Sequence, residues 1–251
     1  MSQIEVLGAG RLMRVALNRP EKRNALTAAM CRELVGALES ADRDPAVRVL
    51  LLEARGKSFC AGMDLAEIGP ESAQEITSAQ EALFTIGTRL SKPLIGAVHG
   101  AALGGGTGLV ANCHIVVAAG DATFGLTEIR LGLWPFLVYR AVALAVGERR
   151  ALEMALTGRT VGADEAGRLG LVHEVVADPQ ARAEEVGTTL AAWSPTAIRT
   201  GLEFLRESRD KDWAEAGRIA ARMRDEVFKS EYFREAVKAF KEKKEARRTT
   251  P

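Results

Sequence analysis

The first part of this chain alternates short runs of β-forming residues with helical patterns. The runs Val47–Leu52 and Leu94–Val98 are nearly continuous apolar segments, which is typical of central strands covered on both faces of a sheet. Arg11–Leu17 predicts a further strand, and apolar periodicity predicts helices over Ala28–Ser40 and Ala73–Leu90. Alternation of this kind requires crossover connections, so we expect an α/β fold with parallel strands flanked by helices.

The C-terminal third has a different character. Charged helical patterns dominate from Pro179 to Arg248, and β-branched residues and glycine become rare. Ser194 followed by Pro195 is typical of a helix N-cap with proline at the first helical position. Apolar residues at helical spacing predict another helix over Trp213–Phe228. This third is therefore expected to be helical.

The charge balance excludes recognition that relies on a strong global field. Lys and Arg number 34 and Asp and Glu 33, for a net charge of +1. We therefore expect no nucleic-acid partner and no membrane, and an anionic ligand must be bound by local groups. The N-terminus has no basic segment followed by an apolar run, and no stretch approaches the roughly 20 apolar residues of a membrane span.

Cysteine and histidine are sparse and scattered. Three residues of each type lie far apart, without the close pairing of a zinc site or a disulfide framework. We expect no metal, and the cysteine usage suits a reducing cytoplasm.

Two glycine-containing turns each follow a predicted apolar strand. Gly56–Asp64 leaves the strand Val47–Leu52, and Gly100–Gly108 leaves the strand Leu94–Val98. Amide groups at such helix starts have no intrahelical acceptor and carry partial positive charge. Two amides converging on one point would form an oxyanion hole for a carbonyl oxygen. The alternative interpretation is that these glycines serve only tight turns and close helix–strand packing.

A rival motif overlaps the second turn. Gly106–Ala111 fits G-x-G-x-x-A, the looser form of a dinucleotide-binding fingerprint. A single match is weak evidence, because it lies mid-chain and five or more residues past its strand rather than in a tight strand-to-helix turn. We therefore expect no nicotinamide or flavin cofactor.

Five motifs together resemble one family, the crotonases (enoyl-CoA hydratases and isomerases). Their order and spacing match over nearly the whole chain, which makes the set far more specific than any single motif. The motifs are Leu17–Leu26 (LNRPEKRNAL), Phe59–Leu65 (FCAGMDL), Lys92-Pro93, the Gly104–Gly106 run and Phe124–Gly132 (FGLTEIRLG).

The resemblance implies a spiral of stacked ββα turns closed by a helical C-terminal region that mediates trimer formation, often as a dimer of trimers. We accordingly divide the chain into an acyl-CoA-binding spiral core, residues 1–195, and a helical region for oligomerisation and CoA cover, residues 196–251. The resemblance also implies that the N–H groups of Met63 and Gly105 bind a thioester oxygen. Coenzyme A would then be part of the substrate, with no separate cofactor.

One carboxylate is the candidate base. Glu128 lies in the sequence among Phe124, Leu126, Ile129, Leu131 and Leu133, and an apolar pocket would raise its pKa toward the working range. From the residues alone a salt-bridged structural glutamate is the commoner interpretation, and the resemblance favours the base. Gly108 departs from the family pattern, because typical two-glutamate hydratases carry their other catalytic glutamate there.

The missing glutamate leaves three functional hypotheses open. Enoyl-CoA hydration is preferred because the largest group of the family carries this activity. It stays compatible with the missing glutamate, since Gly108 leaves room for water and one carboxylate can both deprotonate water and deliver a proton. Enoyl-CoA isomerisation by Glu128 alone is the first alternative, because one carboxylate moves a proton between two carbons. A non-catalytic scaffold that binds acyl-CoA or RNA is the second, although the near-neutral charge argues against RNA.

The resemblance also assigns residues to coenzyme A. Lys57 is a candidate for the phosphates of coenzyme A in addition to the matched positions. For Lys22, Lys57 and Lys243 the alternative interpretation is an ordinary solvated surface. The positions matched in the family are Lys22, Ala25, Ala61, Met63, Asp64 and Leu65, with Phe240 and Lys243 reaching the coenzyme A of a neighbouring subunit. Trp134, Phe136 and Tyr139 can line the acyl pocket or pack, and packing is the preferred interpretation. His114 is interpreted as structural.

Overall fold

The computed structural model describes residues 2–8, 10–69 and 73–248, with side chains as far as residue 242. Within these residues lie two compact units, one in Met1–Leu190 and one in Ala191–Pro251. The strands are β1 (Ile4–Leu7), β2 (Leu12–Leu17), β3 (Val49–Ala54), β4 (Leu94–Val98), β5 (Ala101–Leu103), β6 (Ile115–Ala119), β7 (Thr123–Gly125), β8 (Val161–Gly162) and β9 (Glu174–Val176). The α-helices are α1 (Ala28–Arg43), α2 (Ala73–Phe84), α3 (Gly105–Asn112), α4 (Phe136–Val146), α5 (Glu148–Thr157), α6 (Ala163–Leu169), α7 (Pro179–Ala191), α8 (Pro195–Ser208), α9 (Trp213–Lys229) and α10 (Glu231–Arg248).

Six strands form the large sheet in the order β1-β2-β3-β4-β6-β9. Only β1 pairs antiparallel, with β2, and the remaining pairs are parallel. All six residues of β3 and all five of β4 are buried, as predicted for central strands covered on both faces.

A second sheet has three strands in the order β5-β7-β8. Strands β4 and β5 are followed by α3, and β6 and β7 are followed by α4. Each turn therefore places one strand in the large sheet, one in the small sheet and then a helix. The predicted spiral of ββα turns is confirmed.

Local sequence explains where the main helices begin. The Thr27 side chain accepts a hydrogen bond from Met30 N and so caps α1. In the C-terminal unit, Ser194 caps α8 with Pro195 at the first helical position, as predicted, and Asp212 caps α9. None of the helices in the described ranges is both long and apolar enough to cross a membrane.

Candidate active site

The two glycine-containing turns meet through backbone pairing. Cys60 N donates to Ala101 O at 3.0 Å, and Leu103 N donates to Cys60 O at 2.9 Å. A Cβ atom added to Gly62 would lie 3.0 Å from Leu103 O and 3.7 Å from Gly105 N. Gly62 also has a φ of +98°, which L side chains rarely adopt. The residue before Met63 therefore lies directly against the start of α3.

The Met63 amide is directed by its pairing with Leu26. Leu26 N donates to Gly62 O at 2.7 Å, and Asp64 N donates to Leu26 O at 2.9 Å. This parallel bridge uses the groups on either side of Met63, so the Met63 N–H faces away from Leu26. In the described part of the chain this N–H has no acceptor.

The Gly105 amide is the first of α3. Its N-cap, Gly104, has a φ of 53° and supplies no side-chain cap. Gly104 N donates to Gly125 O at 2.8 Å, which anchors the turn to β7. The Gly105 N–H has no acceptor within the described ranges, as expected for a helix start. Two unpaired amide donors therefore lie on adjoining turns, which is the arrangement that an oxyanion hole requires.

Thr107 fixes the start of α3 and was not predicted as a site residue. Its buried hydroxyl donates to Ala102 O at 2.7 Å and accepts from Gly125 N at 2.9 Å. These bonds tie α3 to both β5 and β7 and thereby hold the Gly105 amide in place. A threonine inside a glycine-rich run was the available signal, because mid-helix threonine hydroxyls commonly bond to nearby backbone.

Glu128 opens the 3-10 helix Glu128–Leu131 and lies against the turn that carries Gly105. A Cβ atom on Gly104 would lie 3.1 Å from Glu128 Oε1 and 3.8 Å from Glu128 Oε2. Oε2 is buried and has no hydrogen-bond partner in the described part of the chain. Burial raises the pKa of this carboxyl, against a smaller lowering by its own backbone N–H. Such a group is suited to accept and return a proton.

The apolar surroundings predicted for Glu128 are only partly found. Phe124 and Leu126 are fully buried, whereas Ile129, Leu131 and Leu133 are 37%, 64% and 40% exposed. The prediction for these three side chains was wrong, because Ile129 and Leu131 in the 3-10 helix, and Leu133 after it, are exposed whereas Glu128 Oε2 is buried.

The expectation that Gly108 leaves room for water is also wrong. A Cβ atom at Gly108 would lie 2.3 Å from Val138 Cγ1 and 3.3 Å from Phe84 Cδ1. The Val138 side chain on α4 therefore fills the space beside this glycine. The segment Gly106–Ala111, which fits the dinucleotide fingerprint, lies inside α3, and a Cβ at Gly106 would lie 2.3 Å from Cys60 O.

The residues assigned to coenzyme A fall into two groups. In the first unit, Ala61 N donates to Arg23 O at 3.0 Å, which joins the turn bearing Met63 to the loop bearing Lys22 and Ala25. The side chains of Lys22, Lys57 and Leu65 are exposed beside them. Phe240 is 69% exposed in the C-terminal unit, and the side chain of Lys243 lies outside the described residues.

Asp64 is already engaged within the protein. Its carboxylate forms an ion pair with Arg19 and accepts a hydrogen bond from Ala66 N at 3.0 Å. The Arg19 hydrogen bond lowers the pKa of this carboxyl. Asp64 therefore braces the loop that begins at Arg19, and its predicted contact with coenzyme A stays a prediction.

Asn24 is a second positioning residue that was not predicted. It is fully buried, with a φ of 53°. Its Oδ1 accepts from Arg19 N at 2.8 Å, and its Nδ2 donates to Arg55 O at 2.9 Å and to Ser58 O at 2.8 Å. One side chain thus joins the loop of Lys22 to the turn that leads to Met63.

We expect Asn24→Ala to lower the free energy of unfolding by about 2–4 kcal/mol, because three partly buried backbone groups lose their partner. Urea unfolding measures this. Arg23→Ala is the matched control, since Arg23 has a φ of 51° but an exposed side chain. Equal losses in the two variants would mean that backbone conformation, and not the amide bonds of Asn24, stabilises the loop.

Two of the remaining polar candidates, His114 and Tyr139, form hydrogen bonds within the protein. His114 Nδ1 accepts from Leu94 N at 2.9 Å and His114 Nε2 lies 3.1 Å from Gly87 O, so the structural interpretation is confirmed. Tyr139 donates its hydroxyl to Glu148 at 2.7 Å and packs with Trp134 against the core. Phe136 is 75% exposed, so most of its side chain is not covered by the described chain.

A pH-dependent stability follows from the burial of Glu128. Because its pKa is raised in the folded state, the folded protein loses stability as pH rises through that pKa. Glu128→Gln removes this loss, so its Tm should exceed that of the unsubstituted protein at neutral pH and match it in acid. Thermal melts across pH measure the difference. Exposed Glu81→Gln is the control, and identical pH dependence in both variants would contradict the assignment.

The chain is similar to known proteins over most of its length. The family model described as enoyl-CoA hydratase/isomerase matches residues 9–249. A mevalonyl-coenzyme A hydratase of Aspergillus fumigatus is 37% identical over 93% of this chain and 89% of its own length. A hydroxycinnamoyl-CoA hydratase-lyase of Pseudomonas fluorescens is 38% identical over 79% and 76%. The crystal structure of an enoyl-CoA hydratase of Mycobacterium smegmatis superposes with a TM-score of 0.91 at 33% identity, covering 96% of each chain.

Proposed function

Because this chain belongs to the enoyl-CoA hydratase/isomerase family, we propose that it is an enzyme that adds water to a 2-enoyl-CoA. The observation that supports the proposal best is the buried Glu128 Oε2, which has no hydrogen-bond partner among the described residues while its carboxyl group lies against Gly104, next to the unpaired Gly105 N–H. Amide donors stabilise the negative charge that develops on a thioester oxygen, and the carboxylate moves the proton.

In the proposed hydration, Glu128 removes a proton from water as the water oxygen forms a bond to C3 of the enoyl thioester. The electron pair of the C2–C3 double bond moves toward the carbonyl, and the resulting enolate oxygen accepts hydrogen bonds from Met63 N and Gly105 N. Protonated Glu128 then delivers the proton to C2. The carboxylate is restored, so one residue serves as base and then as acid.

A second candidate is isomerisation of a 3-enoyl-CoA, and the filled space beside Gly108 favours it. Glu128 would remove a proton from C2, the same two amides would bind the enolate oxygen, and protonated Glu128 would return the proton to C4. This reaction needs no water. A single carboxylate in an apolar setting is sufficient for both transfers.

Incubation with a 2-enoyl-CoA and, separately, with a 3-enoyl-CoA tests the proposal. Loss of the absorbance of the conjugated thioester reports hydration, and a gain reports isomerisation. If neither substrate changes while the protein binds acyl-CoA in calorimetry, the proposed catalysis is wrong and a binding role remains.

The rest of the proposal concerns coenzyme A and assembly. Lys22, Ala25, Lys57, Ala61, Asp64 and Leu65 are proposed to line the coenzyme A path, and Phe240 is proposed to reach the coenzyme A of a neighbouring subunit. A homotrimer or a dimer of trimers is supported by exposed apolar side chains next to the site, namely Ile129, Leu131, Leu133 and Phe136. Three free cysteines support a location in the reducing cytoplasm.

A further inference from the structure

Two apolar side chains lie nearest to Gly105, the residue whose amide begins α3. Among the described residues, the nearest atoms to a Cβ at Gly105 belong to Phe84, at 3.0 Å, and Leu26, at 3.2 Å. The same Phe84 ring comes within 3.3 Å of a Cβ at Gly108. Phe84 therefore spans the face from the amide donor to Gly108, and this side of the site is an apolar wall.

Val138 completes the wall. Its Cγ1 and Cβ would lie 2.3 Å and 2.7 Å from a Cβ at Gly108, which is closer than real Cβ atoms approach. Val138 is 3% exposed and belongs to a buried stripe of α4 with Val142 and Val146. A β-branched side chain in a helix has one strongly preferred rotamer, so Val138 cannot turn aside cheaply.

Gly108 lies one helical turn after Gly104, the residue against which the Glu128 carboxylate lies. Residues at this spacing share a helix face, so a side chain at position 108 would extend on the same face as Glu128. A longer acidic or polar side chain there would provide a second proton carrier. Val138 occupies the space that its first carbon would need.

Resting on the proposed function, we infer that Val138 is a specificity-determining residue that limits this site to one proton-carrying side chain. It closes position 108 to any side chain and keeps the wall beside the reacting carbons apolar. In the described part of the chain, Glu128 is then the carboxylate that serves both proton transfers. The site therefore selects reactions in which a single proton is picked up and returned.

A thermal double-mutant cycle tests the packing part of this inference without any assay of activity. Gly108→Ala should lower Tm in the unsubstituted protein, because the new Cβ meets Val138. In the Val138→Gly background that clash is gone, and alanine is a better helix former than glycine. The fall in Tm caused by Gly108→Ala should therefore be smaller there, by at least about 3 °C, than in the unsubstituted protein. Val142→Gly is the matched control from the same buried stripe and should recover nothing. Equal effects of Gly108→Ala in all three backgrounds would overturn the inference.

A second experiment tests specificity. Gly108→Glu in the Val138→Gly background provides both a second carboxylate and the space for it. The ratio of hydration to isomerisation should then rise about tenfold or more over Val138→Gly alone, because an added acid–base group holds and activates water. An unchanged ratio would overturn the role of Val138. If the unsubstituted protein converts neither enoyl-CoA, the proposed function fails, and the thermal cycle still decides whether Val138 closes position 108.

Discussion

Glu128→Gln should lower kcat by about 10²–10⁴-fold on whichever enoyl-CoA the enzyme converts, with little change in KM. The amide has nearly the shape of the carboxylate but cannot accept the proton from water or carbon. No charged neighbour shifts the pKa of Glu128 in the described part of the chain, so its replacement leaves no partner charge unpaired. Steady-state kinetics on the 2-enoyl and 3-enoyl substrates measure the loss.

Two controls separate this loss from unfolding. Glu81→Gln removes one negative charge from an exposed position on α2 and should leave kcat unchanged. The Tm of Glu128→Gln itself should be no lower than that of the unsubstituted protein at neutral pH, because the buried charge is gone. Full activity of Glu128→Gln would remove Glu128 from the mechanism.

Gly105→Pro should lower kcat by about 10²–10³-fold, because proline has no N–H to donate to the enolate oxygen. Gly105 is the first residue of α3, a position where proline is well tolerated in helices. The donor acts most strongly as charge develops on the oxygen, so we expect the loss in kcat rather than in KM.

Gly105→Ala is the matched control for that variant. Both substitutions add a Cβ that lies 3.0 Å from Phe84 and 3.2 Å from Leu26, and only alanine keeps the N–H. The difference in kcat between the two variants therefore reports the loss of the N–H together with the proline Cδ that takes its place. If alanine and proline at this position give the same kcat, with melts that show both folded, then Gly105 N is not an oxyanion donor.

The sequence predicts best those elements whose burial leaves a clear apolar pattern. The strand predicted at Leu94–Val98 has the observed bounds, because a strand buried on both faces needs an unbroken apolar run. Strand β1 was not predicted, since a four-residue edge strand has little periodicity to read.

The predicted helix over Ala73–Leu90 was too long for a tertiary reason. Helix α2 ends at Phe84, and a separate 3-10 helix covers Ile86–Thr88. A Cβ at Gly87 would lie 2.0 Å from Asn112 O, so this glycine allows a close approach to the end of α3. Local helix propensity does not depend on such a tertiary contact, so it cannot predict where α2 ends.

The candidate site likewise has features that sequence motifs predict and features that depend on tertiary contacts. Glu128 and the glycine-containing turns stand in motifs that are readable in order, and backbone pairing then brings the turns together. The Val138–Gly108 contact joins residues thirty positions apart, and its meaning depends on volume in three dimensions. Asn24 is visible in its motif as a residue, but its three bonds to Arg19, Arg55 and Ser58 depend on the fold.

The central claim is that the amides of Met63 and Gly105 point at one oxygen with Glu128 beside the neighbouring carbon. A crystal structure with a bound, unreactive acyl-CoA tests it directly. We predict the thioester oxygen at about 2.7–3.1 Å from both Met63 N and Gly105 N, with a Glu128 oxygen facing C2 of the acyl group. A thioester oxygen bound elsewhere, with these two amides satisfied by other partners, would contradict the account.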